Sequence, residues 1–210
     1  MSTPSTTIKR KALLLIDLQF DFLEGGTLAV PHANQVLTPI SKMADGWETI
    51  ICSQDWHPER HCSFASAHPG ARAFDTIIWE GSQERVWPDH CIQNSPGARI
   101  HPDILALNPE FIVQKGTDQA IDSYSAFFDN QRLRSTALHG WLQEKNIGFL
   151  RIAGLATDYC VRFTVEDALS LGYQVEVWQP GCRAVNAQNG DEDQAWAAMA
   201  AAGAILISGT

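Results

Sequence analysis

Short, unbroken apolar runs separate longer mixed stretches along this chain, and the first of them, residues 12–16 (ALLLI), has the pattern of a strand buried on both faces. Asp17 ends it. Residues 21–31 (DFLEGGTLAVP) carry a glycine pair and a proline, which predicts an irregular loop. Residues 34–43 predict a helix interrupted near Pro39, and residues 48–53 (ETIICS) a second strand ending beside Asp55. From Trp56 to about Pro109 the periodicity fails. Six of the ten prolines fall there, so this stretch predicts one long excursion, of a length that is uncommon unless it builds a site. Its five aromatics, Trp56, Phe64, Phe74, Trp79 and Trp87, argue against simple disorder.

Residues 110–114 (EFIVQ) predict a strand leading into Lys115, and residues 133–144 a helix. Residues 148–152 (GFLRI) predict the next strand. After it come a GLAT turn and a helix starting near Asp158, capped by Thr157 or Asp158, with Cys160 in its first turn. Residues 173–178 (YQVEVW) and 204–208 (AILIS) supply the last strands, with an Ala-rich helix over 194–202 between them. Six strands alternating with helices define an α/β class, an open parallel six-stranded sheet with helices on both faces. No repeat or linker divides the chain, and residues 1–210 read as one domain with the excursion at about 56–109.

Composition narrows the partners. The chain has 210 residues and 45% hydrophobic content, enough for one extended core. Its charge of -9, from 24 acidic against 15 basic residues, disfavours nucleic acid, because phosphate contacts need concentrated Lys and Arg. No apolar run reaches the roughly 20 residues that span a bilayer, and residues 1–11 are polar, so no membrane association and a cytoplasmic location are expected. Five cysteines without a CxxC pair argue against a disulfide framework and a structural zinc knuckle. No pattern marks a self-association surface, and a homo-oligomer stays open.

The candidate chemistry sits at the ends of three apolar runs, where an open α/β sheet gathers its functional side chains. Asp17, Lys115 and Cys160 occupy those ends. Cys160 reads as a nucleophile whose thiol pKa a helix start and a nearby cation would lower. Asp17 reads as proton acceptor, Lys115 as the balancing charge, and the amides of Ala156 and Cys160 as an oxyanion hole. The competing readings are a core cysteine in an ordinary turn and a structural Asp17–Lys115 ion pair. Asp55, His57 and His90 suit Zn²⁺, Mn²⁺ or Fe²⁺ with solvent positions left open. His61, His68, Ser63 and Glu59 are further candidates near that ion, although clustered histidines also serve as loop anchors. Phe22, Trp87 and Tyr124 offer a wall for a flat aromatic ligand, a role that aromatic packing residues imitate.

Residues 15–26 (LIDLQFDFLEGG), 54–64 (QDWHPERHCSF), 86–93 (VWPDHCIQ), Lys115-Gly116 with Ser123-Tyr124-Ser125, and 154–161 (GLATDYCV) together resemble the nicotinamidase/pyrazinamidase branch of the isochorismatase-like cysteine hydrolases. The resemblance covers nearly the whole chain. It implies Asp17, Lys115 and Cys160 as catalytic triad, and Asp55, His57 and His90 as ligands of one divalent ion, zinc in the first instance, with manganese or iron as alternatives. It also implies a substrate, nicotinamide, hydrolysed to nicotinate and ammonia through a cysteine thioester in NAD salvage. Pyrazinamide follows as a second substrate, Phe22 and Trp87 flank the ring, Ser63 lies near the metal, and the Leu155–Ala156 peptide is expected to be cis. Residues 179–186 (QPGCRAVN) depart from the family pattern at Pro180 and Ala184, which bears on loop packing more than on chemistry. A ureido or carbamoyl amidohydrolase of the same fold, isochorismate cleavage and a non-catalytic interaction domain are the alternatives; the His-rich loop argues against the first.

Overall fold

The computed structural model describes residues 9–209; the polar start of the chain, residues 1–8, lies outside the described residues, as does residue 210. The first apolar run forms β1 (Arg10–Ile16). Its residues 12–16 are all buried, in succession, so both faces of the strand are covered. β2 (Ile50–Asp55) and β5 (Phe111–Lys115) follow on one side of it, and β6 (Ile147–Leu155), β7 (Gln174–Arg183) and β8 (Ile205–Ile207) on the other. The sheet order is β5-β2-β1-β6-β7-β8, and every pairing in it is parallel. The chain therefore winds outward from β1, returns to β6 and winds outward the other way. The crevice between β1 and β6 is the switch point, where ligands of open α/β sheets bind beyond the strand ends.

The helices are α1 (Leu37–Met43), α2 (Pro102–Leu105), α3 (Leu138–Glu144), α4 (Arg162–Ser170) and α5 (Asp191–Ala202). Pro39 does not interrupt α1. It sits in the first helical turn, where a missing N–H costs nothing, and the irregularity is a 3-10 turn over Ala33–Val36 just before it. Residues 133–137, expected to begin a helix, are extended and bent instead, because Phe128 pairs with Ser135 and Thr136 Oγ1 donates to Ala126 O. α5 starts with three acidic residues on its positive end and stops at Gly203, whose φ of 108° takes the left-handed conformation.

The long excursion holds more regular structure than its sequence promised. Two antiparallel strands, β3 (Thr76–Trp79) and β4 (Ser82–Arg85), are joined by Glu80-Gly81, both at positive φ, as a two-residue hairpin requires. The rest is tied down by isolated bridges, His57 to Ile92 and Phe64 to Trp87. These bring residues from two distant parts of the excursion back over the strand ends.

Candidate active site

Lys115 ends β5, Asp17 follows β1 and Cys160 lies in the turn after β6, and all three meet at the lysine ammonium. Lys115 Nζ lies 3.0 Å from Asp17 Oδ2, 2.7 Å from Asp55 Oδ1 and 3.5 Å from Cys160 Sγ, and it also donates to Ser123 O at 2.9 Å. Asp17 and Lys115 are buried completely or nearly so. Desolvation alone would drive the lysine neutral, yet the two carboxylates overcome it and hold the Lys115 pKa well above its ordinary value. Asp17 follows β1 at φ 47°, a left-handed conformation that an Asp tolerates better than most residues. Its pKa is raised by burial, which Lys115 offsets only in part.

Cys160 lies in a π-helical turn, Thr157–Val161, that precedes α4. Ala156 O accepts from the amides of Tyr159 and Val161, and not from that of Cys160, the amide an α-helix would place on it. Capping by Thr157 or Asp158 does not occur. Thr157 Oγ1 is buried without a partner, while the Asp158 carboxylate accepts from the amides of Val185 and Asn186 and so ties the loop after β7 to the turn. The expectation of a lowered thiol pKa also fails: burial raises the Cys160 pKa well above 9.0 despite Lys115. The other cysteines are raised too, Cys52, Cys62 and Cys182 to about 12, by burial first. Cys160 differs from them in having a carboxylate and an ammonium beside its sulfur.

Two glycines make this convergence sterically feasible. A Cβ on Gly154, at φ 131°, would stand 2.2 Å from Ile16 O on β1. One on Gly116, at φ 63°, would stand 2.4 Å from the His57 ring. The Leu155–Ala156 peptide is cis.

Asp55, His57 and His90 bring one ligand-type atom each within 4.8 Å of one another. His57 Nδ1 contacts Gly116 O at 2.9 Å and His90 Nδ1 contacts Pro88 O at 2.8 Å; since a carbonyl only accepts, both Nδ1 atoms carry the proton. The Nε2 atoms face Asp55 Oδ2, at 3.1 and 3.6 Å, while Asp55 Oδ1 is held by Lys115. Two imidazole nitrogens and one carboxylate oxygen, with their outer partners already in place, fit a divalent cation. Burial would raise the Asp55 pKa, but His57 and Lys115 reverse this and hold it well below the ordinary carboxylate range.

His61 and Ser63 are spoken for by each other. His61 Nδ1 lies 2.7 Å from Ser63 Oγ, and its ring stacks on His57 at 4.1 Å. Burial, then the neighbouring His57, lowers the His61 pKa to about 4, so the ring is neutral. A second ligand-type group joins His57 and His61 to Asp122, but His61 Nε2 faces Ile121 O at 3.4 Å. His68 is engaged with Cys62 O at 2.6 Å, and Glu59 enters the surroundings only through its carbonyl, which accepts from Gln119.

Beside the thiol is a small cavity bounded by Phe22, Trp87, Tyr124, Asp55, His90 and Cys160. The expected wall residues all reach it. Trp87 Nε1 donates to Tyr124 Oη at 3.2 Å, which leaves the phenolic proton free to donate in turn. Four further wall residues, Leu28, Asp122, Tyr159 and Val185, are ones the sequence did not single out. Tyr159 lies next to Cys160 in the GLATDYCV motif and packs edge-on against Trp87 at 4.7 Å, which adjacency alone could have flagged. Val185 carries no such signal. A larger, more open hollow between Lys11, Trp47, Arg151 and Trp178 has no cysteine or histidine in its lining and does not touch this chemistry.

A buried thiol, carboxylate and ammonium at the switch point of a parallel sheet, next to an Asp-His-His shell, define a cysteine hydrolase site. The chain belongs to the Isochorismatase domain family, whose sequence model matches residues 11–210. It is 48% identical over 203 residues to a nicotinamidase of Escherichia coli, covering 94% of both chains. Among solved structures it is similar to an Acinetobacter baumannii nicotinamidase/pyrazinamidase, with 38% identity, a TM-score of 0.91, and coverage of 95% of this chain and 96% of that one. A Pyrococcus horikoshii pyrazinamidase solved in complex with zinc is similar at 29% identity and a TM-score of 0.77, over 95% of this chain and 99% of that one.

Proposed function

We propose that this protein hydrolyses nicotinamide to nicotinate and ammonia, and pyrazinamide likewise, through a thioester on Cys160. The observation that carries the reading is the single ammonium of Lys115 within 3.5 Å of the thiol and ion-paired with carboxylates on both the acid and the metal-ligand side. The Cys160 proton passes to Asp17 as sulfur attacks the carboxamide carbon, because a thiol raised by burial is protonated at rest. The oxyanion is held by the amides of Ala156 and Cys160. Asp17 then returns the proton to nitrogen, the C–N bond breaks, and ammonia leaves. Water attacks the thioester with Asp17 accepting one of its protons, that proton returns to the departing sulfur, and the product acid gives its remaining proton to solvent and leaves as nicotinate. Lys115 keeps both carboxylates compensated throughout and is too basic to act as the base.

A divalent ion held by Asp55, His57 and His90, zinc first, supplies a Lewis-acid position for the ring nitrogen beside Phe22 and Trp87. We place the protein in a reducing, cytoplasmic compartment, which suits five free cysteines. The test is ammonia release from nicotinamide by the purified protein. Cys160→Ala should lower kcat at least about 1000-fold with the melting temperature kept; normal turnover in that variant rejects the thiol route. N-carbamoyl substrates should be turned over at a negligible rate, and a preference for them would transfer the protein to the ureido branch of the fold. Separately, Asp55→Ala, His57→Ala and His90→Ala should each lower bound metal measured by elemental analysis, and undiminished metal in all three would dismiss the shell.

A further inference from the structure

Asp17 has two carboxylate oxygens, and only one of them can face the thiol productively. Ser53, the fourth residue of β2, is fully buried and stands directly against this acid. Its hydroxyl donates to Asp17 Oδ1 at 2.6 Å and accepts from the Asp17 amide at 3.1 Å. A hydroxyl has one proton, and the Asp17 amide can only donate, so the Ser53 proton is committed to Oδ1. The other oxygen, Oδ2, is buried, has Lys115 Nζ as a charge neighbour at 3.0 Å, and has no donor in hydrogen-bonding geometry. Oδ2 is thus the oxygen that accepts no hydrogen bond, whereas Oδ1 already holds one from Ser53. We propose that Ser53 is a positioning residue for hydrolysis: by closing a two-bond ring on Asp17 it fixes the carboxylate about its Cβ–Cγ bond and reserves Oδ2 for the Cys160 proton.

The ring explains how a left-handed strand-end residue is held in register. Asp17 follows the last residue of β1 at φ 47°, and Ser53 grips both its amide and its side chain from the neighbouring strand. Without the hydroxyl, Oδ1 and Oδ2 become equivalent candidates for Lys115, and the carboxylate can turn its occupied oxygen toward sulfur. Ser53 does not line the substrate cavity, so its loss should act on the proton transfer and leave ring binding alone.

The inference rests on the nicotinamide reading, and the experiment separates the two. In Ser53→Ala, kcat for nicotinamide should fall about 10- to 100-fold with KM changed less than about threefold. Ser53→Thr, which keeps the hydroxyl, should restore kcat to within about threefold. Ser53→Cys keeps the volume with a weak donor, should lose kcat as the alanine variant does, and decides the matter if that variant fails to fold. The second-order rate at which iodoacetamide alkylates Cys160 needs no nicotinamide and should follow the same order. A folded alanine or cysteine variant with less than a tenfold loss of kcat, a loss carried mainly by KM, or a folded threonine variant as slow as alanine overturns the role of Ser53. Absence of nicotinamide turnover in the parent protein overturns the functional reading instead, and the alkylation rates then judge Ser53 by themselves.

Discussion

At the scale of residues, the site is governed by burial working against charge. Burial penalises the charged forms of Cys160, Asp17 and Lys115 alike; the surrounding charges outweigh it for the lysine and offset it only in part for the carboxyl and the thiol. This has a consequence for pH. Asp17 accepts a proton only when ionised, and a raised pKa means it keeps its own proton to higher pH than an ordinary carboxyl. The value of kcat/KM should therefore fall toward acid, with its midpoint above the ordinary carboxyl value of 3.8. Lys115 keeps its proton beyond 10.5, and the thiol beyond 9.0, so neither should bend the profile on the alkaline side below about pH 9. Initial rates across pH at subsaturating nicotinamide provide the check. A rise in kcat/KM between about pH 7 and 9 would mean that activity waits on a preformed thiolate, as a thiol with the ordinary pKa of about 8.5 would show.

At the scale of elements, the apolar runs were legible because a parallel strand covered on both faces needs no alternation and announces itself by composition. All six sheet strands fall where those runs predicted, with ends shifted by a few residues. Asp17 and Lys115 stood out as candidates because a charged residue at the end of such a run needs a reason to be there, and His57 and His90 because the Pro-rich excursion gathers histidines. What stayed hidden depends on pairing across the chain. The hairpin of β3 and β4 carries only a short TIIW-EG-SQER signal, the π-turn reads like any helix start, and Ser53 looks like an ordinary strand residue until Asp17 is placed beside it. Gly154 is the element-scale feature with the sharpest test. It lets β6 end against β1 at Ile16, with φ in a region closed to side chains and Ile16 O where a Cβ would go. Gly154→Ala should lower the unfolding free energy by about 3 kcal/mol in a denaturant titration, with a separate loss of activity as the Cys160 turn shifts. Stability equal to the parent would show that the strand ends can part without cost.

At the scale of the whole molecule, the winding order decides which residues can meet. β1 and β6 are neighbours only because the order in which strands join the sheet reverses after β5, so residues 143 positions apart, Asp17 and Cys160, arrive at one crevice. The same whole-chain view fixes how a ligand approaches it. The protein carries a formal charge of -9, and long-range fields of that size accelerate or retard charged ligands in a manner that salt screens. Nicotinamide is neutral, so its encounter should be insensitive to that field, whereas nicotinate is an anion repelled by it. The measurement is kcat/KM for nicotinamide between about 10 mM and 500 mM salt, across which the Debye length falls from roughly 30 Å to about 4 Å. Variation of less than about twofold is expected, while the inhibition constant of nicotinate should fall, meaning tighter binding, as salt rises. Strong salt dependence of nicotinamide turnover itself would mean that the reacting species carries charge, and would point to an anionic amide as the better substrate.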